Sequence, residues 1–295
     1  MTATQDRDQL HGLVWSMRAE RDRALLCDLG AKVGTPVLFL KGAFAEPVLY
    51  GNRGLRTGCD IDVLIDPAAF VAFEREVLAL GWLRREFPTH PVTNRLLREW
   101  MYAGRDGHID LDLHRQLAQP PWYHIDTKGC LARAVRYEAG QTTVWSLCPE
   151  DQVLFTAAHY ANHAFTIDAK HFEDTVRLAQ TQRINWRAVH ARARQGGLGV
   201  ALALLLDALG ARGVEVPLGQ RPLAGVDHFR KTLAEHLVRA TPRGFVRGRE
   251  LPSPWDALAT NVLVSTRPAA LVRFVVEYAG LRLLDHGHRF FWGGR

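Results

Sequence analysis

Leu40-Lys41-Gly42, then eighteen residues further on Asp60-Ile61-Asp62-Val63-Leu64-Ile65 with Arg56 just before it, sets the architecture expected of this chain. The apolar residues 35–40 predict a short buried strand, and Gly42 a turn into a helix that runs to Tyr50. The second run predicts another strand, on which Asp60 and Asp62, two residues apart, project from the same face. Paired carboxylates on one face can hold divalent cations. A glycine turn beside them lets the backbone come close to a triphosphate.

Working outward, residues 6–33 read as a helix, with Leu10, Leu13, Val14, Met17, Ala24, Leu25 and Leu29 near helical spacing and Gly34 as its stop. Gly51-Asn52-Arg53-Gly54 is a turn. Asp66-Pro67 starts a helix over 68–80, and residues 82–87 predict an edge strand. Residues 97–103 and 108–117 predict a hairpin across Arg105-Asp106-Gly107, because Asp-Gly readily adopts the backbone of a tight hairpin turn. In its second arm Asp110, Asp112 and His114 share one face and Ile109, Leu111 and Leu113 the other, so the polar set should point away from the core.

Residues 144–147 close the series of strands. From Cys148-Pro149-Glu150-Asp151 onward the pattern is helical, over 148–163, 169–180, 186–194, 198–209, 227–239 and 269–284. Residues 241–254, rich in Arg, Gly and Pro, predict an exposed basic loop. The expected class is α+β followed by α. A small mixed sheet flanked by helices fills residues 1–147, with the N-terminal helix, and an all-helical domain fills 148–295.

Composition narrows the function classes. With 295 residues, 47% apolar and 23% charged, the chain can build two cores and needs no stapling. Cys27, Cys59, Cys130 and Cys148 are scattered and form no CxxC pair, which argues against a disulfide framework or a zinc ribbon. Residues 1–10 are polar and no apolar run approaches a membrane span, so a cytoplasmic protein with no membrane partner is expected. Nothing in the sequence calls for an obligate protein partner. The net charge of +6 agrees with an anionic ligand without identifying one.

Asp112 adds a third carboxylate on a second strand, and three carboxylates can neutralise two divalent cations that clamp an in-line displacement. Asp110, on the same face two residues earlier, competes for that place. His159 and His163, at i and i+4 on a helix, have a zinc-ligand spacing, but the intervening residues lack the glutamate of a zinc protease. They read instead as cleft-lining or core histidines. Lys170 reads as a helix-surface lysine paired with Glu173 or Asp174.

These residues resemble the uncharacterised nucleotidyltransferases of the DNA polymerase β superfamily. The resemblance is carried by Leu40-Lys41-Gly42, Tyr50, Arg56 with Asp60-Ile61-Asp62-Val63-Leu64-Ile65, Asp112-Leu113-His114 and Cys148-Pro149-Glu150-Asp151. His159, His163, Lys170, Asp174 and Asn185-Trp186 continue it, over residues 36–210. It implies a polymerase β-like palm domain and transfer of a nucleoside monophosphate from an NTP to an acceptor hydroxyl, with release of pyrophosphate. Asp60, Asp62 and Asp112 would be catalytic and bind two Mg²⁺, or Mn²⁺. Lys41, Gly42, Arg56, Lys170, His159 and His163 would meet the nucleotide. The acceptor would be a small molecule, an RNA 3′ end or a protein. The wider superfamily has Gly-Ser or Gly-Gly in the phosphate turn, with a shorter gap to the aspartates, whereas this chain has Gly42-Ala43. A catalytically degenerate module that binds nucleotide or nucleic acid is therefore the alternative.

Overall fold

The computed structural model describes residues 3–51, 54–85, 99–118, 122–139, 142–163, 165, 169–216, 230–232, 259–262 and 264–267. The helices expected over 227–239 and 269–284 and the loop over 241–254 lie wholly or largely outside these residues, as do Asn52 and Arg53 of the expected turn.

A long helix α1 (Ala3–Val33) leads into strand β1 (Leu38–Phe39), helix α2 (Lys41–Leu49) and strand β2 (Asp60–Leu64). Helix α3 (Phe70–Ala79), strand β3 (Leu83–Arg84) and the hairpin of β4 (Glu99–Ala103) with β5 (Asp110–His114) follow. The sheet order is β1-β2-β5-β4-β3, with β2 and β5 parallel and the other neighbours antiparallel. This is the small mixed sheet flanked by helices that the sequence implies. Asp106 and Gly107 both take positive φ, 53° and 84°, at the hairpin turn, which explains why Asp-Gly stands there.

One face of the sheet is apolar. Ile61 and Val63 of β2 and Leu111 and Leu113 of β5 are buried in one core with Phe70, Phe73 and Val77 of α3. Helix α1 joins that core by a stripe different from the expected one. Gly12, Trp15, Ser16, Ala19, Asp22, Arg23, Leu26 and Leu29 are buried, whereas Leu10, Leu13, Val14, Met17 and Ala24 are exposed. The stripe has helical period but includes polar members, which a hydrophobic pattern overlooks. Asp22 is fully buried because it accepts the Ile109 amide at 2.8 Å and meets His108 Nδ1 at 2.8 Å, tying α1 to the hairpin.

Beyond β5 come a short helix α4 (Thr127–Ala132) and a separate antiparallel pair, β6 (Val135–Ala139) and β7 (Thr142–Ser146). The sequence pattern anticipates only the last of these. In β6 only Tyr137 and Ala139 are buried, so the strand carries little apolar signal.

Helices α5 (Pro149–Asn162), α6 (Ala169–Thr181), α7 (Trp186–Gly196) and α8 (Gly199–Ala211) complete the described chain. Pro149 at the first position of α5 gives up an amide that would have no helical partner. Asp151 is buried and takes Arg133 Nε at 3.0 Å and Arg192 Nη1 at 2.8 Å, while Glu150 accepts the Asn185 amide at 2.8 Å. The Pro-Glu-Asp motif thus fastens α5 to α4 and α7. Among the described residues no helix is long and apolar enough to cross a membrane.

Candidate active site

The site grows from the parallel pairing of β2 with β5, which sets Asp60 opposite Asp110 and Asp62 opposite Asp112. Register partners in a parallel pair point to the same face, so four carboxylates share it. Asp110 is committed to the hairpin, accepting the Gly104 amide at 2.9 Å and pairing with Arg85. Asp112 instead faces its own kind. Burial first, then the charges of Asp62 and Asp60, push its carboxyl up to about 8. Burial and neighbouring Asp62 also raise Asp60, against the pull of Lys41.

Asp62 behaves in the opposite way. Burial disfavours its charge, but Lys41 and His114 outweigh burial and hold it well below the usual carboxylate range. Its Oδ1 accepts Lys41 Nζ at 2.6 Å and faces His114 Nε2 at 2.9 Å. Such charge-assisted contacts are among the stronger hydrogen bonds. Lys41 reaches Asp62 because it begins α2 with φ 44°, a left-handed conformation uncommon for a residue with a Cβ. Thus Lys41, rather than the adjacent glycine, takes the unusual backbone of the turn.

His114 differs from expectation: its polar face does not point to solvent, and the side chain is 1% exposed. Its Nδ1 lies 3.1 Å from Glu99 Oε2, and Phe155 of α5 meets the ring edge-on at 6.2 Å. Sequence reasoning missed Glu99 as a site residue. The signal was present, since counting seven residues outward from Asp106 and Gly107 places Glu99 opposite His114, as the register does.

Arg56 is joined to α6. Its Nε lies 3.0 Å from both carboxylate oxygens of Asp174 and its Nη2 lies 2.9 Å from Oδ2, while Nη1 donates to the Thr57 carbonyl. The Tyr50 hydroxyl also bonds Asp174, and the Arg177 guanidinium lies 4.2 Å from the centre of the Tyr50 ring. Gly42 lies against this arginine, 3.5 Å from Nη1 measured from where a Cβ would sit. Lys170 crosses from α6 to the same loop, donating to Thr57 Oγ1 at 3.3 Å.

The His159 and His163 rings lie 4.5 Å apart, with His171 5.6 Å from His159. His159, His171, Gln152, Thr156 and Lys41 line a small open pocket between α2, α5 and α6. His163 is not among its lining residues.

Hard oxygen donors such as Asp60, Asp62 and Asp112 suit Mg²⁺. Among the described residues, however, no three His, Cys, Asp or Glu side chains already converge as a metal cage. At Asp62 the cation in contact is the Lys41 ammonium. The donor set fits a divalent cation in chemistry, with the Lys41 ammonium and His114 already standing on Asp62 Oδ1.

A family model described as "uncharacterised nucleotidyltransferase" matches residues 19–210. Among solved structures, the lincosamide antibiotic adenylyltransferase LnuA with lincomycin bound is similar at 14% identity and TM-score 0.39, over 55% of this chain and 98% of that one. The antibiotic-resistance factor ANT(2'')-Ia is similar at 16% identity and TM-score 0.40, over 64% of this chain and 89% of that one. No curated protein matches the sequence.

Proposed function

The chain belongs to the uncharacterised nucleotidyltransferase family, and from this premise we propose that it transfers a nucleoside monophosphate from an NTP to an acceptor hydroxyl, with release of pyrophosphate. The observation that carries this reading is the register of Asp62 with Asp112, which sets carboxylates from two strands side by side next to Asp60. Asp60, Asp62 and Asp112 would hold divalent cations, Mg²⁺ or Mn²⁺. When bound, these ions supply neutralisation of phosphate charge and polarisation of the acceptor oxygen.

The chain's own residues would do the rest. Asp112, once ionised beside the cations, would receive the proton of the acceptor hydroxyl as its oxygen bonds to the α-phosphorus. The bond from that phosphorus to the pyrophosphate oxygen breaks in the same displacement. Lys41 and the backbone at Gly42 meet the phosphates, and Arg56 and Lys170 steady the loop that leads into β2. Residues 1–147 and 148–295 act as two domains around a cleft, with His159 on one wall and His163 at the end of the same helix. Little covalent work falls to the protein, and positioning with charge neutralisation supplies the rate.

The acceptor would be a small molecule, an RNA 3′ end or a protein, and supplying each class of acceptor separately distinguishes them. The test is to incubate the purified protein with each α-labelled NTP and Mg²⁺, with and without small-molecule extract or RNA, and follow the label. Transfer that disappears in Asp60→Asn and Asp62→Asn supports the reading. Transfer that survives either substitution overturns it.

A further inference from the structure

Asp62 Oδ1 already has two partners, Lys41 Nζ at 2.6 Å and His114 Nε2 at 2.9 Å. A divalent cation arriving at this oxygen competes with both of them, and the two are held very differently. The His114 side chain is 1% exposed, with Glu99 3.1 Å away on its other nitrogen. The Lys41 side chain is 15% exposed, hangs on a flexible stem and lines the pocket between α2, α5 and α6. Lys41 is the mobile partner.

Charge points the same way. Asp60, Asp62, Asp112 and Glu99 crowd one face of the sheet, and Lys41 is the ammonium among them, feeling Asp62, Glu99 and Asp60. A divalent cation would take over that neutralisation. An ammonium and a divalent cation on one carboxylate then repel each other at short range in surroundings largely shielded from water. The phosphates of an incoming nucleotide are the nearest new home for the displaced ammonium.

Resting on the nucleotidyl-transfer reading above, we propose that Lys41 is a tethered counter-cation. It holds Asp62 until Mg²⁺ and NTP arrive together, and then passes from the carboxylate to the triphosphate. Metal and nucleotide therefore bind with positive coupling, and metal alone binds weakly. The left-handed backbone of Lys41, at φ 44°, aims the side chain across to β2 from the helix start.

The test measures Mn²⁺ binding to the full chain by calorimetry or by the spin signal of the free ion, and separately measures binding of the Mn²⁺ complex of a non-hydrolysable α,β-methylene ATP analogue. In Lys41→Met, Mn²⁺ alone should bind about tenfold or more tighter than in the parent, and the complex about tenfold or more weaker. Lys41→Arg, which keeps the charge, should retain the weak binding of Mn²⁺ alone. Lys41→Gly, which suits the left-handed backbone, serves as the second uncharged variant if Lys41→Met does not fold. Equal or weaker Mn²⁺ binding in the uncharged variant, or unchanged binding of the complex, overturns the exchange and leaves the nucleotidyl-transfer reading standing. A folded parent that binds neither Mn²⁺ nor the complex overturns both.

Discussion

Arg56 and Asp174, 118 residues apart in sequence, form a two-pronged buried ion pair between the loop before β2 and helix α6. Tyr50, at the C-terminal end of α2, bonds the same carboxylate. Helix α2, the approach to the Asp-x-Asp strand and the helical part of the chain thus meet at one side chain. Asp174 is 8% exposed, and burial raises its carboxyl against the pull of Arg56.

Removing one partner of such a pair leaves the other charge buried without its counterpart. Asp174→Ala is expected to destabilise the protein by about 3–5 kcal/mol. Urea unfolding of parent and variant measures this directly. A loss under about 1 kcal/mol, the range of an exposed pair, would show that Arg56 finds water or another acceptor.

The raised carboxyl of Asp112 makes stability depend on pH. Its folded value of about 8 lies above the ordinary 3.8, so between these limits the folded chain binds more protons than the unfolded one. Stability should then fall as pH rises through this window. Asp62, held low, has the opposite sign, but its contribution is lost only as pH drops below the ordinary carboxylate range. Thermal melts in EDTA from pH 5.5 to 8.5 should show a falling midpoint, and Mg²⁺ with nucleotide analogue should flatten the trend. A slope that persists unchanged in Asp112→Asn would assign it to another group.

The strands that carry the carboxylates are legible because period-two alternation and the Asp106-Gly107 turn are local signals. Asp60 and Asp62, two apart on a strand, have to share a face. What the sequence does not show is the parallel contact of β2 with β5, separated among the described residues by a helix and two strands, which brings Asp112 rather than Asp110 to Asp62. Arg56 is instructive in another way. Its type and position suggest phosphate, but its partner Asp174 lies on a distant helix, and only tertiary packing brings the two together. The buried stripe of α1 is hidden because Ser16, Asp22 and Arg23 lie on it, Ser16 and Asp22 hydrogen-bonded to partners elsewhere in the chain and Arg23 facing Glu46.

His114 should act through Asp62, fixing the direction of its carboxylate. Partners of this kind typically change metal affinity or activity by about 10–100-fold when removed. His114→Leu is expected to weaken binding of the Mn²⁺ nucleotide complex within that range, while His114→Gln, which keeps a donor, recovers part of it. Equal affinity in parent and His114→Leu, with both folded by circular dichroism, would reduce the histidine to packing.

Gly42 separates what the fold needs from what the ligand needs. A Cβ there would lie 3.5 Å from Arg56 Nη1, ordinary contact, and its φ is not in the left-handed region. The protein itself therefore has room for an alanine at this position. Because alanine is the better helix residue, Gly42→Ala within α2 should leave stability unchanged or raise it by about 0.5–1 kcal/mol. If the missing side chain serves close approach of phosphate to backbone, the same variant should raise the KM for NTP several-fold with its melting temperature intact. Glycine would then be required for function at a place where folding does not require it. A Gly42→Ala protein with unchanged KM would move the phosphate site away from the α2 turn, and a drop in melting temperature would mean that the Arg56 guanidinium cannot accommodate the added methyl group.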